Sequence, residues 1–352
     1  MRGVIIIRHG ITAGKILIPA LVFLLVASAC GNRNEPDAGK KTRDIAAVPS
    51  GKPLIQKHGT IDCDMVEVSP VVFKGKLYRF EYVRKDKYEF NITGDSYFRF
   101  IDIGTGEVSP GFAAGYHLGS AYVEADTVFV FGTSDWGGTE VRVFRSTDLE
   151  TWQSYTAWEH PDWTLYNTAV CKTDAGYVMA VEVGAPPEVV GVRFTMRYLT
   201  SPDLRQWTLL GDECVYTKDR YSACPVLHFL DGFVYMIYLE RKPVPEGIEE
   251  QWHAYAPHII RSKDLAVWED SPLNPVMSHS SEDKRIANPK LSPEQRDRIA
   301  SALNLNNSDV DLCEYGGKTI IYYSWGNQHG TEFLAEAEYE GTLAEFIRGF
   351  FP

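Results

Sequence analysis

The run Asn306-Asn307-Ser308-Asp309-Val310-Asp311-Leu312 sets two carboxylates two residues apart, immediately before the strand-forming run CEYGGKTIIYYSW. The two-residue period of a strand puts both acids on one face. A carboxylate at a crowded position is hydrated, paired or used in chemistry, because burying an isolated charge is costly. Glu67, ahead of SPVVF, and Glu182, inside the apolar run VMAVEV with no basic neighbour, belong with them. A protonated and an ionised carboxyl group facing one bond are the parts of general acid–base catalysis, and a third group can tune their proton affinities. Asp309, Glu67 and Glu182 are the candidates for those roles, with His117 as a further proton carrier. Arg84 and Arg220 would bind hydroxyls or a carboxylate on the substrate. Asn167, Tyr221, Asp311 and His329 (in WGNQHGTEF) would complete the binding surface, while Glu81 and Glu240 have Arg84 and Arg241 close behind to pair with.

Positioning these groups requires elements that converge, and the chain repeats itself in a way that supplies them. RSTDLETW (145–152), TSPDLRQW (200–207) and RSKDLAVW (261–268) share Ser-x-Asp-Leu-x-x-Trp, with Trp spacings of 55 and 61 residues. The Asp is suited to cap a turn and the Trp to fill the space between repeats. Between these copies a small hydroxyl residue repeatedly opens an apolar strand, followed by a Gly/Asp turn and a second strand. The openings are Ser69, Ser120, Thr168, Ser222 and Ser308, spaced 51, 48, 54 and 86 residues apart. Alternating β-branched and aromatic residues bounded by such turns are hairpin signals. Units of about fifty residues indicate stacked repeats or propeller blades. The pattern therefore predicts an all-β, five-bladed β-propeller over residues 53–352, with the opening strands innermost around a central axis.

Counted from each opening hydroxyl, the next residues are Pro70, Ala121, Ala169, Ala223 and Asp309. Three positions on stand Val72, Val123, Cys171, Pro225 and Asp311; two positions before stand Glu67, Leu118, Tyr166, Arg220 and Asn306. The two aspartates thus replace small or apolar residues of the other repeats, and Glu67 and Arg220 fall on one ring. Tyr116, Tyr221 and Trp325 would offer aromatic faces at its rim. The long last interval contains MSHSSEDKRIANPKLSPEQRDRIASALNLN, a helical insertion at about 277–305 between blades four and five. Ser292-Pro293-Glu294-Gln295 is a capping box with Pro at the first helical position, and this is the one helix the pattern predicts. It would pack as a decoration or form a wall or lid over the axial pocket.

The chain of 352 residues is 44% hydrophobic and carries a formal net charge of -12. Arg2, Arg8 and Lys15 are the only charges in residues 1–30, so the remainder stands at -15. That balance excludes nucleic acid as a partner, since phosphate binding needs clustered Lys and Arg. Those cations precede ILIPALVFLLVASA (16–29), which is short for a membrane span and suited to a secretory signal. Ala27-Ser28-Ala29-Cys30 resembles a bacterial lipoprotein box, although Ala27 stands where that pattern favours Leu. The resemblance implies a signal peptide over 1–30, lipid attachment at Cys30, and a flexible tether over 31–52. The protein would be exported and held at the cell envelope, in contact with the membrane through its lipid alone. IIIRHGIT (5–12) resembles the histidine phosphatase signature but lies in the segment that would be removed. The other cysteines, Cys63, Cys171, Cys214, Cys224 and Cys313, follow no disulfide or zinc spacing.

With its predicted blade count and S-x-D-L-x-x-W turns, the chain resembles the five-bladed propeller carbohydrate enzymes of glycoside hydrolase families 43, 32 and 117. The resemblance covers nearly all of 53–352 at the level of fold, without a catalytic motif of family 43 or the WMNDPN opening of family 32. It implies an exo-acting glycoside hydrolase with an oligosaccharide substrate and paired carboxylates in the axial pocket. Three readings stand beside it. One is a lyase or dehydratase acting on uronic sugars, with His117, His329 or a Tyr as base. Another is a metal-assisted sugar deacetylase, in which His117, Glu67 and an Asp would hold a divalent cation. The last is a non-catalytic glycan-binding lipoprotein. No other cofactor is called for.

Overall fold

The structure, a computed structural model, describes residues 51–84, 96–248, 254–328 and 331–352. Cys30 and His329 lie outside the described residues, as do the predicted signal and nearly all of the tether. Among the described residues the strands form five antiparallel sheets, four of four strands and one of three. Taken in chain order, these are the blades of a propeller. The innermost strands are Ser69–Phe73, His117–Glu124, Thr164–Thr173, Ser222–Leu230 and Asn306–Tyr315. The three-stranded first blade gains bridges from its third strand, Ser96–Asp102, to Phe112 and Val108.

The first strand, Gln56–Cys63, does not belong to blade one. It pairs with Glu332–Tyr339 as the outermost strand of blade five, so the two ends of the chain close the ring. The insertion fastens this seam instead of covering the axis. Thr60 pairs with Ile286 in parallel, Asn288 Nδ2 donates to the Ile61 carbonyl at 3.0 Å, and Arg298 makes a two-pronged ion pair with Asp64 at 2.6 and 2.9 Å. At the centre of the clasp lies a buried ion pair, Lys57 Nζ to Asp283 Oδ1 at 2.7 Å. Asp283 also accepts from the Ser280 and Asn304 donors at 2.8 Å each and from the Tyr323 hydroxyl at 2.9 Å. Gly59 is required here, since a Cβ on it would stand 2.3 Å from the Arg285 carbonyl oxygen. The capped helix of the insertion, Pro293–Ser301, forms as predicted, with Ile299 buried. The prediction of one helix fell short. Pro187–Val190 is helical, as is Leu343–Arg348, which has its own capping box from Thr342 and Glu345.

The three S-x-D-L-x-x-W turns share one geometry. The carboxylates of Asp148, Asp203 and Asp264 each accept two backbone N–H groups at 2.8–3.0 Å. Leu149, Leu204 and Leu265 are left-handed, with φ of 63–64°. Each Trp packs on the preceding blade: Trp152 stacks on Phe112 at 3.7 Å, Trp207 meets Phe131 edge-on, and Trp268 stacks on Tyr198 at 5.3 Å.

The inner strands of blades two to five each carry a β-bulge near their first end. Leu118–Gly119 together face Gly132, Tyr166–Asn167 face Glu182, Cys224–Pro225 face Tyr238, and Asp309–Val310 face Tyr323. Leu118, Cys224 and Asp309, at the first bulge position, are left-handed with φ of 55°, 52° and 47°; Glu67, just ahead of the first inner strand, has φ of 57°. A non-glycine residue in that region costs about 1–2 kcal/mol, and bulges of this kind re-aim side chains beside active sites. They also correct the register read from the hydroxyl residues. The structural ring is Glu67, Leu118, Tyr166, Cys224 and Asp309; Arg220 and Asn306 are not on it.

Candidate active site

The corrected ring brings Glu67, Asp309 and Cys224 to the same end of the axis. Glu182 joins them from the second strand of blade three, held in place by the bulge opposite. A cavity of about 50 Å³ is lined by Glu67, Asn167, Cys224, Asp309 and Asp311 among others. A larger cavity of about 380 Å³ lies toward the other ends of the inner strands, where the exposed Lys172 and Glu314 line it, the lining is mostly apolar, and Asp311 and Glu314 are its acids. The clustered carboxylates mark the smaller, upper cavity as the place for chemistry.

Glu182 is buried, and its Oε2 accepts two donors, the Cys224 backbone N–H at 2.9 Å and Asn167 Nδ2 at 3.0 Å. Burial pushes its pKa up to about 7, against the pull of those two hydrogen bonds. Glu67 is pushed up to about 8, chiefly by burial and further by the Asp309 and Glu182 charges, despite Arg84 3.5 Å away. Asp309 is also raised by burial, but the Ser308 hydroxyl, the Cys224 thiol and the Arg84 charge all favour its ionised form. Burial thus raises the proton affinity of all three acids, opposed in each case by hydrogen bonds or a nearby cation.

Arg84 stands beside Glu67, its guanidinium 4.8 Å from the Tyr82 ring and 5.6 Å from Trp136. Asn167 is the amide that links Glu182 to Glu67. Tyr221 forms part of an aromatic wall, its ring 5.7 Å from Phe194 and 5.1 Å from Tyr255.

Other predicted residues stand elsewhere. His117 is fully buried between blades one and two, with Nδ1 2.5 Å from the Tyr82 hydroxyl and Nε2 3.3 Å from Ser96 Oγ. Burial lowers its pKa, so it is a neutral core residue and neither faces the cavity nor shares a ligand set with Glu67. Among the described residues no group of three His, Cys, Asp or Glu side chains is close enough to hold a metal ion. Arg220 points away into blade four, 3.7 Å from Glu240 and bonded to the Tyr216 hydroxyl. A bulge lies between Ser308 and Asp311, and both aspartates line the small cavity. Asp311 accepts from the Ser69 hydroxyl and the Leu312 N–H, joining the last inner strand to the first. Trp325 is core, its Nε1 donating to Thr60 Oγ1 at 2.9 Å. Glu81 pairs with Arg79 and Arg99, each at 2.6 Å, and not with Arg84.

Sequence reasoning missed Cys224, Arg193 and Glu332. Cys224 would have surfaced had the strands been aligned on their bulges. Arg193 donates to the Tyr166 hydroxyl at 2.9 Å, and its charge reaches Glu182. Glu332, fully buried, accepts the Gln328 N–H at 2.6 Å, and burial raises its pKa well above the usual range.

Comparison with protein-family models gives no match, and comparison with curated proteins gives none. Solved structures do match. A glycoside hydrolase superposes with a TM-score of 0.56 at 13% identity, covering 82% of this chain and 92% of its own. A thermostable family-43 glycoside hydrolase gives 0.53 at 10% identity, over 80% of this chain and 92% of the other. An α-L-arabinofuranosidase from Fusarium graminearum, in complex with an iminosugar inhibitor, gives 0.50 at 12% identity, over 82% and 98%. The class this establishes is one of fold: the chain is a five-bladed β-propeller. These solved glycoside hydrolases superpose on it over 80–82% of the chain.

Proposed function

We propose that the protein is an exported, lipid-anchored glycoside hydrolase that removes sugars from the ends of oligosaccharides. The observation that supports this most is the hydrogen bonding of Glu182. Two donors occupy Oε2, which leaves Oε1 to carry a proton, and a carboxyl group that titrates near 7 is suited to protonate a departing sugar oxygen at neutral pH. Glu182 is the general acid. Asp309, across the cavity lining from Glu67, is the second carboxyl group, the one assigned to drive attack at the anomeric carbon. Glu67, neutral at pH 7, spares Asp309 a second negative neighbour. The Tyr221–Tyr255 wall gives a sugar ring an apolar face, and Arg193 gives its hydroxyls a donor. An axial pocket where five strands converge admits a chain end more readily than a chain's middle, hence the exo action.

The test is to incubate the mature protein with neutral and uronic oligosaccharides and read the products by mass. Release of terminal sugars with one water gained is expected, and Asp309→Asn and Glu182→Gln should each slow it roughly 10²–10⁴-fold. Products one water lighter would indicate elimination, and loss of acetyl would indicate a deacetylase. For the anchor, labelled fatty acid should enter the wild-type protein and not Cys30→Ala; equal labelling would rule out Cys30 as the attachment point.

A further inference from the structure

The two cavities on the axis adjoin one another. Every inner strand lines both, with its earlier residues on the small cavity and its later ones on the large. Blade three gives Asn167 and then 169–172; blade five gives Asp309 and then 312–314. Ser120, Thr168, Pro225, Val226 and Asp311 line both cavities, so the two meet at that ring. The ring is a polar waist, with Ser120 Oγ and Thr168 Oγ1 2.8 Å apart and the Asp311 carboxylate beside them. Along blade five Asp309, Asp311 and Cys313 are partly exposed, whereas Val310 and Leu312 between them are buried. That alternation is the mark of a strand with one face on a channel. Beyond the waist the walls turn apolar, with Val72, Ala121, Val123 and Leu227, and the exposed Lys172 and Glu314 stand at the far end.

We propose that this axial channel supplies water to the carboxylates from the face of the propeller opposite them. The proposal rests on the hydrolase reading of the site. Each hydrolytic turnover consumes one water, and a sugar seated over Glu67 and Asp309 closes the near end of the axis. The small cavity, at about 50 Å³, has room for a few waters, since about 10–15 Å³ suffices for one. It falls far short of the roughly 300 Å³ at which ligand pockets begin. Hydroxyls at the waist can hand a water on by exchanging hydrogen bonds, and the apolar walls beyond hold it only weakly. The channel therefore passes water and excludes sugars.

Cys313 offers a place for a plug, because it lines the large cavity beyond the waist and not the small one. The folded protein is treated with methyl or benzyl methanethiosulfonate, and peptide mass identifies each labelled cysteine. Cys313 should label; a thiol that stays free under both reagents would mean the far end is closed, and the proposal fails. With the benzyl group on Cys313, kcat should fall roughly tenfold while KM is unchanged, as expected when access limits turnover. The methyl group should cost much less, and dithiothreitol should restore the full rate, which shows that the fold is intact. Cys313→Ala should hydrolyse like wild type and ignore the benzyl reagent, separating the plug from labels on the other cysteines. Complete benzyl labelling of Cys313 with kcat unchanged would overturn the proposal, as would equal inhibition of Cys313→Ala. If the unlabelled protein cleaves no oligosaccharide, the hydrolase reading fails, while labelling of Cys313 still decides whether the channel is open.

Discussion

Glu67 shows what a site of this kind costs the protein that holds it. Its pKa is pushed from the ordinary 4.5 up to about 8 because burial disfavours its charge. Any stability this acid contributes is complete below about pH 4.5 and is lost as pH rises through 8. Between pH 5 and 9 the wild type should therefore lose stability relative to Glu67→Gln, by a few kcal/mol on the order of 1.4 per pKa unit. Chemical denaturation at a series of pH values checks this, and parallel curves for the two proteins would contradict it. The acids themselves were legible in the sequence. Glu182 stood in an apolar run with no basic neighbour, and Asp309 stood where other repeats have Pro or Ala. His117 was misread because a strand sequence does not reveal which His has Tyr82 and Ser96 waiting for it. Glu332 was missed because it lies on a third strand, away from the hairpins that were compared.

At the scale of the element, the repeat motif and the bulge divide the work. The S-x-D-L-x-x-W turns are structural as their residue types suggested, with an Asp capping each turn and a Trp packed on the neighbouring blade. Asp203→Ala should cost about 1 kcal/mol, the usual value of a lost cap. Trp268→Ala, at a partly buried position against Tyr198, should cost more than that, about 2–3 kcal/mol. Urea melts read both, and similar costs for the two would show that the Trp is not packed between blades as described. The bulges were not legible. A single extra residue leaves no mark on an alternating pattern when the strand is apolar on both faces. The opening hydroxyls gave the correct register in blades one to three and the wrong one in blades four and five, where Ser222 and Ser308 precede the bulge. That shift puts Cys224, and not Arg220, on the ring.

For the whole molecule, the fold was legible from period and patterning, whereas its closure was not. The strand Gln56–Cys63 completes blade five across more than 250 residues of sequence, a pairing that no local pattern announces. The insertion between blades four and five clasps that seam through Lys57 and Asp283. Asp283→Ala leaves a buried ammonium group without its counter-charge and should destabilise the propeller by about 3–5 kcal/mol. A loss under 1 kcal/mol would mean that the clasp is incidental. A rigid ring is what lets groups from blades one, three, four and five meet on a single axis with fixed proton affinities. In the proposed hydrolase, Glu182 delivers the proton to the departing sugar. The pH dependence of kcat/KM for wild type and Glu182→Gln, on glycosides with poor and good leaving groups, tests it most directly. The wild type should lose activity as pH rises through about 7. Glu182→Gln should lack that limb, fail on the poor leaving group and keep most of its rate on the good one. An unchanged alkaline limb in Glu182→Gln, or equal losses on both substrates, would contradict the claim.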